Sequence, residues 1–276
     1  MHIIDGKKIA NEMEEEIRKK IKAKIGIATI LVGENDASLL YAKLKEKACK
    51  RLGFHSQTIH FPSDIKIEEI KEAIRKFNED DEIHGIVLQL PLPGGMEYEM
   101  LIKEIEPRKD IEGMHPCNLG ATLLNKEFLV PSTPLAVIKI LEHEGISVKG
   151  KDVVIVNHSN IVGKPLAAML LNRNATVSIC HIYTKDIKKY TSQADILISG
   201  TGVAGLIKKE YVKEGAIAID VGITRKKDGS ICGDIDFDAV KEKVKAITPV
   251  PGGVGPVTIA CLMENAVRAY KKFDKE

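Results

Sequence analysis

Apolar residues near the start of the chain recur at Ile9, Met13, Ile17 and Ile21, after an Asp5-Gly6 turn. A spacing of four predicts a helix with one buried stripe. The next apolar run, Ile27 to Val32, is short and β-branched, as a buried strand requires. The pattern then alternates: helix from about 38 to 52, strand at 57–61, helix at 67–77, strand at 83–90 and helix at 96–105. Repeated strand-then-helix order predicts a mostly parallel sheet.

A loop-rich passage, Glu106 to Pro131, separates this half from a helix predicted at 134–144. Beyond it, near-continuous apolar runs at 153–156, 176–180, 196–199 and 216–220 are spaced by about twenty residues, with helical segments between them. Strands of that kind belong to a sheet covered on both faces. The expected fold is therefore α/β with two domains, each a mostly parallel sheet flanked by helices. Residues 1–120 form the first, and 121–255 form a Rossmann-like, doubly wound nucleotide domain. A C-terminal helix over 256–276 is expected to pack back on the first.

That helix follows the run Thr248-Pro249-Val250-Pro251-Gly252-Gly253-Val254-Gly255-Pro256-Val257-Thr258, in which six of eleven positions are proline or glycine. The run is expected to be a stiff loop, with Pro256 in the first turn of the helix. It is either a hinge or a surface that lets backbone approach a ligand closely, and it holds no titratable side chain.

Composition narrows the partners. Over 276 residues, 41 basic and 39 acidic side chains are mixed along the chain for a net charge of +2. No basic stripe marks a nucleic-acid surface, and no apolar run reaches membrane-spanning length. A small-molecule partner is expected. Five cysteines at 49, 117, 180, 232 and 261 form no C-x-x-C pair. Neither a disulfide framework nor a metal site is expected, and the compartment is expected to be reducing and cytoplasmic.

The strand at 153–156 runs into Asn157-His158-Ser159-Asn160-Ile161-Val162-Gly163 and then a helix. Such a turn aims free N–H groups and partial positive charge at a pyrophosphate, or is an ordinary βα turn. Ser199-Gly200-Thr201-Gly202 and Asp220-Val221-Gly222-Ile223 place glycine at two further strand ends. The next strand ends in Cys180-His181-Ile182 rather than in an acidic residue. A carboxylate there would hold a ribose 2′-hydroxyl and repel a 2′-phosphate, so its absence favours NADP, with NAD still open. His158 and Lys185 are the nearby candidates for a phosphate contact. In the first half, Tyr41 and Lys45 share one helix face, and Gln89 is an amide in an apolar strand that needs a buried partner. Lys45 is a candidate for it.

Five segments together resemble the bifunctional methylenetetrahydrofolate dehydrogenase/cyclohydrolase family: Asp36 to Lys45, Gly85 to Pro93, Pro107 to Pro116, Ser159 to Pro165 and Thr248 to Thr258. They fall in the family's order over nearly the whole chain. The resemblance implies oxidation of methylenetetrahydrofolate to the methenyl form with a nicotinamide cofactor, then hydrolysis to formyltetrahydrofolate, in a cleft between the two domains. It implies a homodimer serving one-carbon metabolism and purine biosynthesis. Lys45 would be the acid–base group of hydrolysis, Gln89 its orienting amide, and Tyr41 a ring stacked on the substrate's benzoyl group.

By the same resemblance Glu112, where the family usually carries aspartate, would hold the pterin, and Pro91 would line the pocket. Ser38 would support that pocket or cap its helix. Pro249, Gly252, Gly253 and Gly255 would give backbone and proline surface to pterin and nicotinamide. The cofactor residues would be Asn157, His158, Ser159, Ile161, Val162, Gly163, Ile182, Thr201, Gly202, Gly222 and Ile223, with Thr258 touching cofactor or capping the last helix. Asn157-His158 replaces a common Gly-Arg, and Ile182 replaces a serine that favours the 2′-phosphate. A dehydrogenase without efficient hydrolysis and a noncatalytic binding module are the alternative readings.

Overall fold

The computed structural model describes residues 1–21, 23–226 and 228–273. In chain order its elements are β1 (His2–Ile3), α1 (Gly6–Lys20), β2 (Gly26–Val32), α2 (Asp36–Leu52), β3 (His55–Phe61), α3 (Ile67–Glu79), β4 (Gly85–Leu88), α4 (Tyr98–Ile102), α5 (Pro116–Leu123) and α6 (Ser132–His143). They continue with β5 (Asp152–Val156), α7 (Gly163–Asn172), β6 (Thr176–Cys180), α8 (Ile187–Thr191), β7 (Ile196–Ser199), β8 (Ile217–Asp220), β9 (Thr224–Arg225), β10 (Ile231–Cys232), α9 (Phe237–Val240), β11 (Ala246–Ile247) and α10 (Val254–Phe273).

The chain divides into two compact units. One comprises Met13–Ser132 and Ile259–Glu276 and is built on a three-stranded parallel sheet, order β3-β2-β4. Its central strand β2 is buried at every position, which is why that stretch reads as continuously apolar. The other unit comprises Met1–Glu12 and Thr133–Thr258 and carries a six-stranded parallel sheet, order β1-β11-β8-β7-β5-β6. Its order reverses at β5, flanked by β6 and β7, the switch point at which open α/β sheets bind ligands.

Four expectations require correction. The boundary lies at 132/133, not 120/121, because Leu129 joins the core of the three-stranded unit beside Ile111 and Leu262. The first residues belong to the six-stranded unit, since His2 and Ile3 pair in parallel with Ala246 and Ile247 at the sheet edge. The passage 106–131 contains α5, capped by His115 Nδ1, which accepts the Cys117 N–H at 3.0 Å, with Pro116 in its first turn. Finally, α10 begins at Val254, inside the proline/glycine run, because Gly255 and Pro256 occupy the first turn, where N–H groups lack helical partners anyway. Ile259 onward buries Leu262, Met263, Ala266 and Ala269 in the three-stranded unit's core. Residues 274–276 of the expected final helix lie outside the described residues.

Candidate active site

Lys45 sits on α2 with its side chain only 11% exposed, and its ammonium donates to two acceptors. Gln89 Oε1 is 3.0 Å away and Glu112 Oε1 is 2.6 Å away. A buried ammonium needs such partners, and the carboxylate balances its charge. The Gln89 amide can face only one way: its oxygen meets the ammonium, and its Nε2 donates to Leu90 O at 2.8 Å. The same carbonyl accepts Ser38 Oγ at 3.0 Å. Ser38 does not cap α2; Asn35 Oδ1 does, accepting the N–H groups of Ala37 and Ser38. Asn35 holds the cap position and Ser38 lies inside the first turn, so the Ser38 hydroxyl is available to hold the Leu90 carbonyl at the start of the cis Leu90–Pro91 bond. Gln89 lies just past β4 rather than within it, its N–H bonded to Ile30 O. Tyr41 is half-buried, and burial pushes its hydroxyl pKa up. Pro91 is exposed.

Glu112 is delivered by a segment that runs beside β4, where Ile86 N–H bonds Lys109 O at 2.7 Å and Ile86 bridges to Asp110. Gly85 makes that approach possible, since a Cβ there would meet the Ile111 side chain at 2.6 Å. Gly113 follows with φ +71° and no room for a Cβ, which would lie 2.2 Å from Val130 C. Buried groups clamp the segment on both sides. Lys109 Nζ donates to the carbonyls of Phe77, Asn78 and Asp80 at the C-terminal end of α3, where the helix dipole favours a cation. Asp110 Oδ2 accepts His115 N–H and Asn118 Nδ2, and burial raises its pKa. Asn265 on α10 donates to Ile111 O and Val130 O at 2.8 Å each. Tyr98 is also close to this carboxylate: burial first, then the charges of Glu112 and Asp110, push its hydroxyl pKa far up.

In the six-stranded unit the turn after β5 is organised by Asn157. Its Oδ1 accepts Ser159 N–H and Oγ at 2.8 Å and Gly163 N–H at 3.0 Å, and its Nδ2 donates to Gly200 O. Asn157 thus shapes the loop, and a Cβ at Gly163 would lie 2.1 Å from Asn157 O. Ser159 Oγ also receives Val162 N–H. The exits of β5 and β6 meet, with the His158 and His181 rings 5.0 Å apart. Ile161, Ile182 and Ile223 stand past the ends of β5, β6 and β8 with 41%, 85% and 49% of their surfaces open, an arrangement suited to covering flat ligand faces. Thr201, Gly202 and Gly222 converge on the buried Asp234. In the proline/glycine run Gly252 has φ +104° and Val250–Pro251 is cis. Gly253 packs on Pro249, and a Cβ at Gly6 would lie 1.8 Å from Gly253 O, while Gly255 faces open space. Thr258 is not a cap, because its hydroxyl donates to Val254 O within α10.

The family model described as tetrahydrofolate dehydrogenase/cyclohydrolase, catalytic domain, matches residues 4–112, and that described as its NAD(P)-binding domain matches residues 131–274. The chain belongs to the tetrahydrofolate dehydrogenase/cyclohydrolase family. It is 50% identical over 277 residues to the bifunctional protein FolD of Methanococcoides burtonii, covering 98% of this chain and 96% of that one. The crystal structure of the bifunctional enzyme FolD from Campylobacter jejuni is similar at 45% identity and a TM-score of 0.96, covering 99% of each chain. That of Trypanosoma brucei FolD, complexed with NADP cofactor and inhibitor, is similar at 33% identity and TM-score 0.95, covering 99% of this chain and 98% of that one.

Within this tetrahydrofolate dehydrogenase/cyclohydrolase fold, Ser38, Tyr41, Lys45, Gln89, Pro91 and Glu112 all belong to the three-stranded unit, and the expected nucleotide residues all belong to the six-stranded one. Sequence reasoning missed Asn265, Lys109, Asp220 and Asp234. One lone amide on the apolar face of α10 was a signal for Asn265. The pairing of Asp220 with Asp234 depends on the β9–β10 hairpin, which no periodicity marks.

Proposed function

We propose that the chain is a bifunctional one-carbon folate enzyme, oxidising methylenetetrahydrofolate to methenyltetrahydrofolate with NADP and hydrolysing the product to formyltetrahydrofolate. The observation that carries this reading is the buried Lys45 ammonium held between Gln89 and Glu112. Removing hydride from a carbon between two nitrogens leaves a delocalised cation, so that step needs alignment rather than a strong acid or base. Bound NADP supplies the hydride acceptor. Hydrolysis then needs a proton taken from water and one given to the departing ring nitrogen, and Lys45 is the group placed to move them. Gln89 fixes the direction of the Lys45 amine, and Ser38 fixes the backbone on which Gln89 rests. Tyr41 stacks on the benzoyl ring. Glu112 accepts paired hydrogen bonds from the pterin amino group and the adjacent ring N–H.

The six-stranded unit fits a dinucleotide. The N-terminal end of α7 points from the turn after β5, and a Cβ at Gly202 or at Gly255 would meet no atom within 4 Å, which leaves room for a ligand against the backbone. Ser159, Val162 and Gly163 shape the phosphate turn, Ile161, Ile182 and Ile223 cover ring faces, and Thr201, Gly202 and Gly222 line the strand ends. His158 reads the 2′-phosphate in place of an arginine, and with it the preference for NADP over NAD. Comparable catalytic efficiency with NAD and NADP at every pH from 5 to 8 would refute that assignment. A homodimer in a reducing cytoplasm, feeding purine biosynthesis, completes the reading; the five cysteines are free thiols. Among the described residues no helix is long and apolar enough to cross a membrane.

Following the methenyl chromophore of the purified chain with methylenetetrahydrofolate and NADP tests the function. Formation followed by decay supports both activities. Accumulation would leave a dehydrogenase alone, and no signal would leave a binding module.

A further inference from the structure

Two carboxylates of the six-stranded unit are buried and take no part in the chemistry above. Asp234 is fully enclosed, and its oxygens receive five donors. Oδ2 accepts Ser199 Oγ at 2.8 Å, Thr201 Oγ1 at 2.9 Å and the Thr201 N–H. Oδ1 accepts the N–H groups of Gly202 at 3.0 Å and Val203 at 3.1 Å. Asp220, 3% exposed, accepts the N–H groups of Gly222, Asp234 and Ile235 at 2.8 to 3.1 Å. Its own N–H donates at 2.8 Å to Thr248 Oγ1, where the proline/glycine run begins. A continuous path, Thr248 to Asp220 to Asp234 to Thr201, therefore joins the loops that leave β11, β8 and β7. Two glycines make room for it. A Cβ at Gly222 would lie 2.0 Å from Asp234 Oδ1, and one at Gly233 would lie 2.0 Å from Asp220 Oδ2.

Three successive N–H groups turned inward onto one carboxylate fix the loop after β7 before any ligand arrives, while a Cβ at Gly202 would meet only open space. Charge-assisted hydrogen bonds are the strong ones, and a binding surface ordered in advance loses less entropy on binding. We propose that Asp234, seated by Asp220, is a positioning residue for the dinucleotide: it pre-orders Ser199 to Val203, and through Thr248 it ties that loop to the proline/glycine run. The proposal rests on the nucleotide-binding reading above. Because the path does not involve the His158–His181 end, it acts on NAD and NADP alike.

Calorimetric titration of the full chain with NADP and with NAD, in the absence of folate, provides the test. Asp234→Asn and Gly233→Ala should each weaken both cofactors at least tenfold and leave their ratio unchanged. Decay of added methenyltetrahydrofolate without dinucleotide should stay within twofold of the parent rate. Gly233→Ala would drive a Cβ to 2.0 Å from Asp220 Oδ2, displacing the carboxylate that seats Asp234 without changing charge, and decides the matter if Asp234→Asn fails to fold. The double variant should bind no more weakly than the poorer single, since both act through one contact. Parent-like cofactor affinity in Gly233→Ala overturns the proposal, as does a methenyl decay rate that falls in proportion to affinity. A parent protein that binds neither cofactor would instead overturn the nucleotide-binding reading itself.

Discussion

Replacing Glu112 by alanine would leave the Lys45 ammonium with Gln89 Oε1, at 3.0 Å, as its hydrogen-bond acceptor in this group. Breaking a buried ion pair from one side costs about 3–5 kcal/mol, because a charge stays behind without its partner. The Lys45 side chain is 11% exposed and that of Glu112 23%, so water entering the vacated carboxylate site offsets part of this, leaving roughly 2–3 kcal/mol. For a chain of this size each kcal/mol moves the unfolding midpoint by about 2–4 °C. The expected fall for Glu112→Ala is therefore about 4–12 °C in the transition of the three-stranded unit. Lys45→Met/Glu112→Ala removes both charges together and should be more stable than Glu112→Ala alone by about 1–2 kcal/mol. Scanning calorimetry of the parent, both single variants and the double variant completes the cycle. A parent-like midpoint for Glu112→Ala, or a double variant whose loss equals the sum of the singles, would refute the reasoning.

Burial, with the nearby Asp234 charge, raises the Asp220 pKa to about 6 from 3.8. A raised folded-state value means that the folded chain holds this proton more tightly, so the contribution is full below pH 3.8 and is lost as pH rises through 6. About two units correspond to roughly 3 kcal/mol. The stability difference between the parent and Asp220→Asn in urea should therefore shift by that order against the parent from pH 4 to pH 7, and a constant difference would contradict it. Gly6→Ala would drive a Cβ to 1.8 Å from the Gly253 carbonyl, backbone against backbone. Overpacking of that kind should cost about 3 kcal/mol by urea unfolding, and a parent-like midpoint would contradict the close approach.

The sheets and most helices were legible because β2, β4, β5, β7 and β8 are almost wholly buried and read as unbroken apolar runs between amphipathic helices. Helix α5 was not, because Asn118, Gly120 and Thr122 dilute its pattern and its cap is a histidine. The edge strand β1 was missed because two residues show no period, and its pairing with β11 links opposite ends of the chain. Lys45 and Gln89 were legible as a pair because a buried amide demands a partner. That Glu112 also binds Lys45 was not, since it depends on the path of residues 109–113 beside β4. Asp220 and Asp234 looked like ordinary strand-end and turn residues; only their enclosure distinguishes them from solvated carboxylates.

The most direct test of the account is the decay of preformed methenyltetrahydrofolate in Lys45→Met, measured without dinucleotide, beside dehydrogenation of methylenetetrahydrofolate by the same preparation. Positioned acid–base groups contribute about 10²–10⁴-fold. The account predicts that methenyl decay falls by that order toward the uncatalysed rate while dehydrogenation is at least partly retained. Methenyl decay at the parent rate in Lys45→Met would contradict it.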